Sequence, residues 1–371
     1  MKVEQEVDTN ALNKLIDEDI SFAIYRLPDD TTIHFILQNN HSSNRIKNIA
    51  DIGKEAGFVI CPFIPAESMP IVLIRPDIHL KGMEQVYRYI NEFLPEPKTA
   101  EKESNIVVPP ENNFEIYKRN FQTFHAALEN KTLEKIVLSR NAEYKYDEHF
   151  SVEQTFRQAV EKYPNAFVYL CHTPQSGTWL GCSPELLLSF KDGQGHTVAL
   201  AGTKHVQKED AKWDDKNLHE QEVVSKYIRQ QLKNQNIHFA ESTVHSVIAG
   251  NVAHLKTEFN FHLSSQNEMG KLLQALHPTP AVCGFPKEKA LDFIAANEGY
   301  DRRYYAGFVG MVNIDDHTSL YVNLRCMEVL ANSLKLYAGG GLLATSDLET
   351  EWQETGYKLQ TILSIINEKV N

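Results

Sequence analysis

No run of 18 apolar residues occurs in the 371-residue chain, which excludes a membrane-spanning helix. Basic runs of five or more are absent too. With 37 Lys and Arg against 49 Asp and Glu, the formal net charge is −12, and a nucleic-acid surface is not expected. A small anionic substrate stays open, because local groups outweigh net charge at a site. Cys-x-x-Cys pairs are missing. The five cysteines (Cys61, Cys171, Cys182, Cys283, Cys326) are odd in number, which reads as reduced, mostly buried thiols of a cytoplasmic protein. The opening stretch, MKVEQEVDTNALNKLIDED, lacks the apolar segment of a signal peptide. Internal repeats and low-complexity tracts are lacking as well. What is present is an ordinary globular composition, 42% hydrophobic and 23% charged, sufficient for one large domain or two of average size.

One seam stands out at 95–113, PEPKTAEKESNIVVPPENN, rich in Pro, Glu, Lys and Asn and without periodicity. It divides a sheet-rich region, 1–104, expected to belong to the same fold, from a region, 105–371, expected to carry the chemistry. Upstream, FAIYRL, TIHFIL, GFVICPF and MPIVLIRP read as strands separated by turn residues, followed by a helix over 82–93. Downstream, Phe114, Tyr117, Phe121, Phe124 and Leu128 fall on one helix face. KIVLSRNAEY, AFVYLCHT, TWLGCSP, ELLLSF and TVALAG read as strands, and a long helix is predicted over 217–234. STVHSVIAGNVAHLKTEFNFHL supplies more strand and GKLLQALH another helix. YYAGFVGMVNID, TSLYVNLRCMEVL and SLKLYAGGG read as three consecutive strands, and a last helix spans 348–367. Adjacent strands with short polar turns predict an α+β fold, a large, mostly antiparallel sheet core flanked by helices.

The chemistry-bearing residues gather near the C-terminus, in AGGGLLATSDLETEWQETGYKLQ. Glu351, Glu354 and Lys358 are spaced to share one helix face beside Gly339, Gly340 and Gly341. A solvated face with a Glu–Lys pair is the plain reading. Yet glycine-rich backbone beside a helix start is an anion-binding arrangement. Carboxylates there would repel an anion unless a hard divalent cation such as Mg²⁺ lay between. Glu220, deeper in its helix than Asp214 and Asp215, fits a dipole-favouring role less well than they do and supplies a further carboxylate. His219-Glu220 does not extend to His-Glu-x-x-His, which excludes the zinc-protease motif. Lys135 and Glu185 are charged residues at the ends of apolar strands. Such residues usually face solvent, but buried together in one cleft they would form a base and an acid. Arg325 in YVNLRC reads either as a carboxylate clamp or as half of a structural salt bridge.

KIVLSR, GCSPELLL, LAGTK, DDKNLHEQEVV, VAHLKT, LHPTPAVCGFP, GYDRRYYAGFVG and the C-terminal glycine–glutamate segment occur in this order. Together, over 114–366, they resemble the chorismate-utilising enzymes. The resemblance implies an α+β domain with Mg²⁺ held by Glu220 and Glu354, and with Glu351 supporting through water. It places the family's base on Lys135 and its acid on Glu185. Arg325, Gly339 and Lys358 match substrate-carboxylate positions, Gly202 and Thr203 a turn lining the site, and His254 a histidine near the ring or departing hydroxyl. Within the family, Ala201 stands where a nucleophilic lysine occurs in aminating relatives. Ala281 and Asn217 replace a threonine and a glutamate of several others. These features, with PTPAVCG, imply the isomerase that converts chorismate to isochorismate by adding water at C2 and losing the C4 hydroxyl. The alternatives are the same addition followed by pyruvate loss, or a non-catalytic binder of a chorismate-like dianion. The implied partner is the small molecule chorismate, with no membrane, no nucleic acid and no glutaminase subunit, on a monomer or weak homo-oligomer. One departure is Arg303, in Asp301-Arg302-Arg303, where the family usually carries glycine.

Overall fold

The computed structural model describes residues 11–40, 44–93, 113–146, 150–205, 213–249 and 252–366. Among them the chain opens with α1 (Ala11–Asp17), β1 (Phe22–Arg26), β2 (Ile33–Leu37), β3 (Asn44–Ile46), β4 (Gly57–Cys61), β5 (Ile71–Ile74), β6 (Ile78–Lys81) and α2 (Met83–Phe93). It continues through α3 (Phe114–Glu129), β7 (Lys135–Lys145), α4 (Val152–Lys162), β8 (Phe167–Thr173), β9 (Gly177–Ser183), β10 (Leu186–Lys191), β11 (Gln194–His205) and α5 (Asp215–Asn234). Then follow β12 (Phe239–Glu241), β13 (His245–Ala249), β14 (Val252–His262), α6 (Gln266–Leu276), β15 (Gly284–Phe285) and α7 (Lys287–Asn297). The chain closes with β16 (Phe308–Ile314), β17 (His317–Val322), β18 (Cys326–Val329), β19 (Ser333–Leu342) and α8 (Leu348–Ile366).

The strands form two antiparallel sheets. One has nine strands in the order β15-β7-β19-β18-β9-β8-β1-β2-β6; the other has ten, β12-β14-β11-β10-β17-β16-β4-β5-β3 with β13 on β14. Strands from both sides of the 95–113 seam interleave: β1 pairs with β8, Ile24 opposite Leu170, and β4 with β16, Val59 opposite Gly310. The seam itself, apart from Asn113, lies outside the described residues.

Period-two alternation explains the apolar run in β1. Ala23 and Tyr25 point into one core shared by both sheets, while Phe22 and Ile24 point into a second core. That second core lies against α1, α2, α4 and α8, with Leu12, Val86, Phe156 and Ile362 supplied by those helices. Both faces of the strand are buried, so polar alternation is absent. Three helices were not anticipated: α1, α4 and α7. The clearest local signal belongs to α4, where Ser151 caps the helix by accepting from Gln154 N at 3.2 Å.

The stretch TSLYVNLRCMEVL, expected as one strand, is two. β17 belongs to the ten-stranded sheet and β18 to the nine-stranded one, and Arg325 between them has φ +49°. A second crossover joins β9 and β10 at Pro184 and Glu185. The crossovers are tied together. Glu185 O accepts from Val322 N at 2.9 Å, and Arg325 O accepts from Cys182 N at 3.0 Å. The residues that leave one sheet for the other are therefore held side by side.

Candidate active site

Beside these crossovers lies a cleft of about 640 Å³, open to solvent. Glu185 and Arg325 reach its lining from the crossovers, and Gly202, Thr203 and His254 from the ten-stranded sheet. Gly339 comes from β19, Glu220 and Lys358 from the helices, and Ala281 from the loop after α6. Three residues named from the sequence stand off the lining: Lys135, Glu351 and Glu354. They pack against the glycine triplet instead. A Cβ on Gly341 would lie 2.2 Å from Glu220 Oε1 and 2.9 Å from Lys135 Cε, and one on Gly340 would lie 2.9 Å from Glu351 Oε2. The triplet continues β19 in register with β7, Gly341 opposite Val137. Close approach by α5 and α8, rather than a turn, therefore requires glycine here.

Each glutamate near the triplet has its own lysine. Lys135 Nζ lies 2.9 Å from Glu220 Oε1, Lys216 Nζ 2.5 Å from Glu351 Oε1, and Lys358 Nζ 2.6 Å from Glu354 Oε1. Lys358 also donates to Gly339 O at 2.8 Å, and Ser346 Oγ donates to Glu351 Oε1 at 2.7 Å. Burial pushes the Glu351 carboxyl up, and the charge of Glu354 adds to that. At Glu354 burial acts in the same sense, but Lys358 in contact, with Lys216 and Arg325 beyond, draws the carboxyl below its ordinary range. The part of Lys216 was not legible in the sequence, because its partner is far along the chain.

Among the described residues no three His, Cys, Asp or Glu side chains converge to hold a metal ion by position alone. The donor chemistry nonetheless fits a hard divalent cation. Glu351 Oε2 is buried without a hydrogen-bond partner, and it faces the space above Gly340 that a Cβ would fill.

Across the cleft, burial raises the Glu185 carboxyl to about 8, against the downward pull of Lys135, Lys358 and Arg325. It is therefore protonated at neutral pH. Burial lowers the His254 imidazole to about 3, helped by Arg325, so the ring is neutral. Its Nδ1 is 2.9 Å from Gly202 O, which only accepts, so Nδ1 carries the proton. Nε2, buried and without a partner, keeps its lone pair. Gly202 sits at φ +71° where the β11–β14 register slips. Asn217 Oδ1 closes that bulge by accepting from Thr203 N at 3.0 Å, and Asn217 Nδ2 donates to Asp214 at 2.7 Å.

Lys135 opens β7 with no exposed surface, and Glu220 is its ionic partner. Arg325 makes no ion pair or side-chain hydrogen bond among the described residues. That favours the clamp reading over the structural one. Two lining residues escaped sequence reasoning, Tyr305 and Tyr337, whose rings stack at 5.3 Å. The Tyr305 hydroxyl lies 2.9 Å from where a Gly339 Cβ would stand. Also unanticipated is the buried Arg302–Glu298 pair. Arg302 donates to the carbonyls of Val137 and Val282, both of which line the cleft, at 2.8 Å each.

A model of the family described as "Chorismate binding enzyme" matches residues 72–367, beginning upstream of the stretch over which the sequence motifs were read. The chain belongs to the chorismate binding enzymes. Isochorismate synthase EntC of Escherichia coli K12 is 30% identical over 244 residues, which cover 63% of this chain and 62% of that protein. Isochorismate synthase DhbC of Bacillus subtilis is 31% identical over 297 residues, 73% of each chain. The fold is that of MenF, the menaquinone-specific isochorismate synthase from Escherichia coli, with a TM-score of 0.77 at 20% identity over 98% of this chain and 92% of that one. Both sheets of this chorismate binding enzyme thus have a solved counterpart, and no helix among its described residues is long and apolar enough to cross a membrane.

Proposed function

We propose that the chain converts chorismate to isochorismate. The observation that carries this reading is the pairing, in one cleft, of a protonated Glu185 with the unpartnered cation of Arg325, beside small apolar side chains at Ala201 and Ala281. Arg325 and the Tyr305 hydroxyl hold one substrate carboxylate, and Lys358 with the glycine end receives the other. As a neutral amine, released from its ion pair with Glu220, Lys135 takes a proton from water as the oxygen bonds to C2. The two ring double bonds each move one position, and the C4–O bond breaks as Glu185 donates its proton, releasing water. His254 offers Nε2 as an acceptor and holds no charge. Ala201 cannot form a covalent adduct as a lysine could, and Ala281 adds no hydroxyl, so water is the nucleophile the cleft admits. Glu220 and Glu354, with Glu351 behind them, would hold Mg²⁺, which supplies charge neutralisation at the ring carboxylate. The five free, buried thiols support a reducing, cytoplasmic setting.

The test is product analysis by chromatography of purified protein with chorismate and Mg²⁺, alongside a coupled assay for pyruvate. Isochorismate without pyruvate is expected. Stoichiometric pyruvate would move the assignment to a lyase, and binding without any product would leave a dianion-binding protein.

A further inference from the structure

Arg303 stands at φ +53°, in the left-handed region that glycine adopts freely and a long side chain does not. The turn is pinned on both sides: Arg303 N donates to Asp301 Oδ1 at 2.7 Å, and Arg303 O accepts from Phe63 N at 2.9 Å. From there the guanidinium pairs with Glu328 Oε1, whose side chain is 3% exposed. The other oxygen, Glu328 Oε2, accepts the Tyr337 hydroxyl at 3.2 Å. Tyr337 lines the cleft. Its ring stacks on Tyr305 at an interplanar angle of 11°, and on Trp179 at 5.7 Å.

We infer that Arg303 is a positioning residue of the substrate site: through Glu328 and Tyr337 it fixes the Tyr305 ring beside Arg325, and so sets affinity for the carboxylate held there. The inference rests on the reading of the cleft as a chorismate site. Removing Arg303 leaves a buried carboxylate without its cation, which is costly. Burial already pushes Glu328 up, and without Arg303 no cation but the cross-strand Lys335 opposes it, so the anchor that Glu328 offers the Tyr337 hydroxyl would weaken. Lysine would restore charge but not the planar fork. Because the contact lies away from the reacting carbons, it acts on binding in ground and transition states alike.

The experiment compares R303G, R303K, E328Q and R303G/E328Q with wild type for KM, kcat and Trp179 emission, using W179F to subtract Trp213 and Trp352. R303G relaxes the turn and is expected to raise KM about five- to tenfold with kcat within about twofold, the pattern of lost uniform binding. R303K should fall between R303G and wild type. Once E328Q has removed the buried charge, adding R303G should change KM by less than about twofold, a non-additivity that a merely local turn defect would not give. Trp179 emission should shift in R303G and return toward wild type in the double variant. Unchanged KM in R303G, or additive effects of the two substitutions, overturns the inference. Should R303G not fold, an unchanged KM in folded R303K and E328Q overturns it instead. If the wild-type protein does not turn over chorismate, the functional reading fails. The emission shift and its reversal still decide whether Arg303 governs the Tyr337 ring.

Discussion

Glu185 lines the cleft and Glu354 stands off its lining behind the glycine triplet, and their carboxyls are displaced in opposite directions. Burial penalises the charged form of both. At Glu185 three cations lie within electrostatic reach but none makes a hydrogen bond to the carboxyl, and burial wins. At Glu354, Lys358 is in contact at 2.6 Å, and the pair wins. Cations at a distance soften a desolvation penalty, whereas a cation in hydrogen-bond contact reverses it. One fold thereby keeps a protonated carboxyl and an anionic one near the same cleft, an arrangement that the proposed acid-assisted loss of a hydroxyl would use.

The contrast breaks most completely on the charged side. Chelation with EDTA is expected to bring turnover to background and Mg²⁺ to restore it, and Glu354→Ala should do the same while melting cooperatively. Full activity in EDTA would remove the metal from the proposal. Gly341→Ala should behave like the chelated protein, because its Cβ would stand 2.2 Å from Glu220 Oε1.

On the neutral side, Glu185→Ala and Lys135→Ala are each expected to lower kcat by at least about a hundredfold, the usual contribution of a positioned proton-transfer group. Both should still bind chorismate, measured by equilibrium titration, since Arg325 and Lys358 remain. Near wild-type turnover in either variant would strip that residue of its role.

The pH profile sharpens the comparison further. Glu185 acts as donor only while protonated, and its carboxyl is raised to about 8. Accordingly kcat/KM should fall about tenfold per unit above that pH. Stability follows the same sign. A carboxyl raised in the folded state favours folding below its unfolded value and loses that favour as pH rises through about 8. Glu185→Gln, which never ionises, should therefore melt a few degrees above wild type at pH 9 and close to it at pH 4 (by calorimetry). An equal difference at both pH values would mean that the carboxyl is not held neutral.

The smallest expected effect concerns the bulge. Asn217→Ala frees the Thr203 N–H and loosens Gly202, whose carbonyl fixes the His254 tautomer. A loss in kcat/KM of about threefold to tenfold is expected, the worth of one hydrogen bond of about 1 kcal/mol. Asn217→Asp, which keeps the acceptor, should recover most of it.

Much of this was legible in the chain before any coordinates. Helical spacing placed Glu351, Glu354 and Lys358 on one face of α8, and apolar alternation placed Lys135 at the head of β7, while Glu185, expected to open a strand, stands in the crossover just before β10. Other partnerships were not legible, because they join residues on different elements that only packing brings together: Lys216 with Glu351, Arg303 with Glu328, Asn217 with the Gly202 bulge. The single strand expected across Arg325 failed for a related reason. Residue pattern does not announce that a chain changes sheets when both halves are equally apolar.

The sequence by itself determined which residues carry charge into apolar surroundings and which helix and strand ends they occupy, because periodicity is a local property of the backbone. Only the tertiary structure decided what those charges become. Whether a glutamate holds its proton depends on how deeply it is buried and which cation touches it: helical spacing puts Lys358 beside Glu354, but burial, and the pairing of Lys216 with Glu351 135 residues away, are set by packing between elements. Glycine at 340 and 341 belongs to the same lesson. The chain shows three small residues in a row, but only the approach of α5 and α8 shows why nothing larger fits.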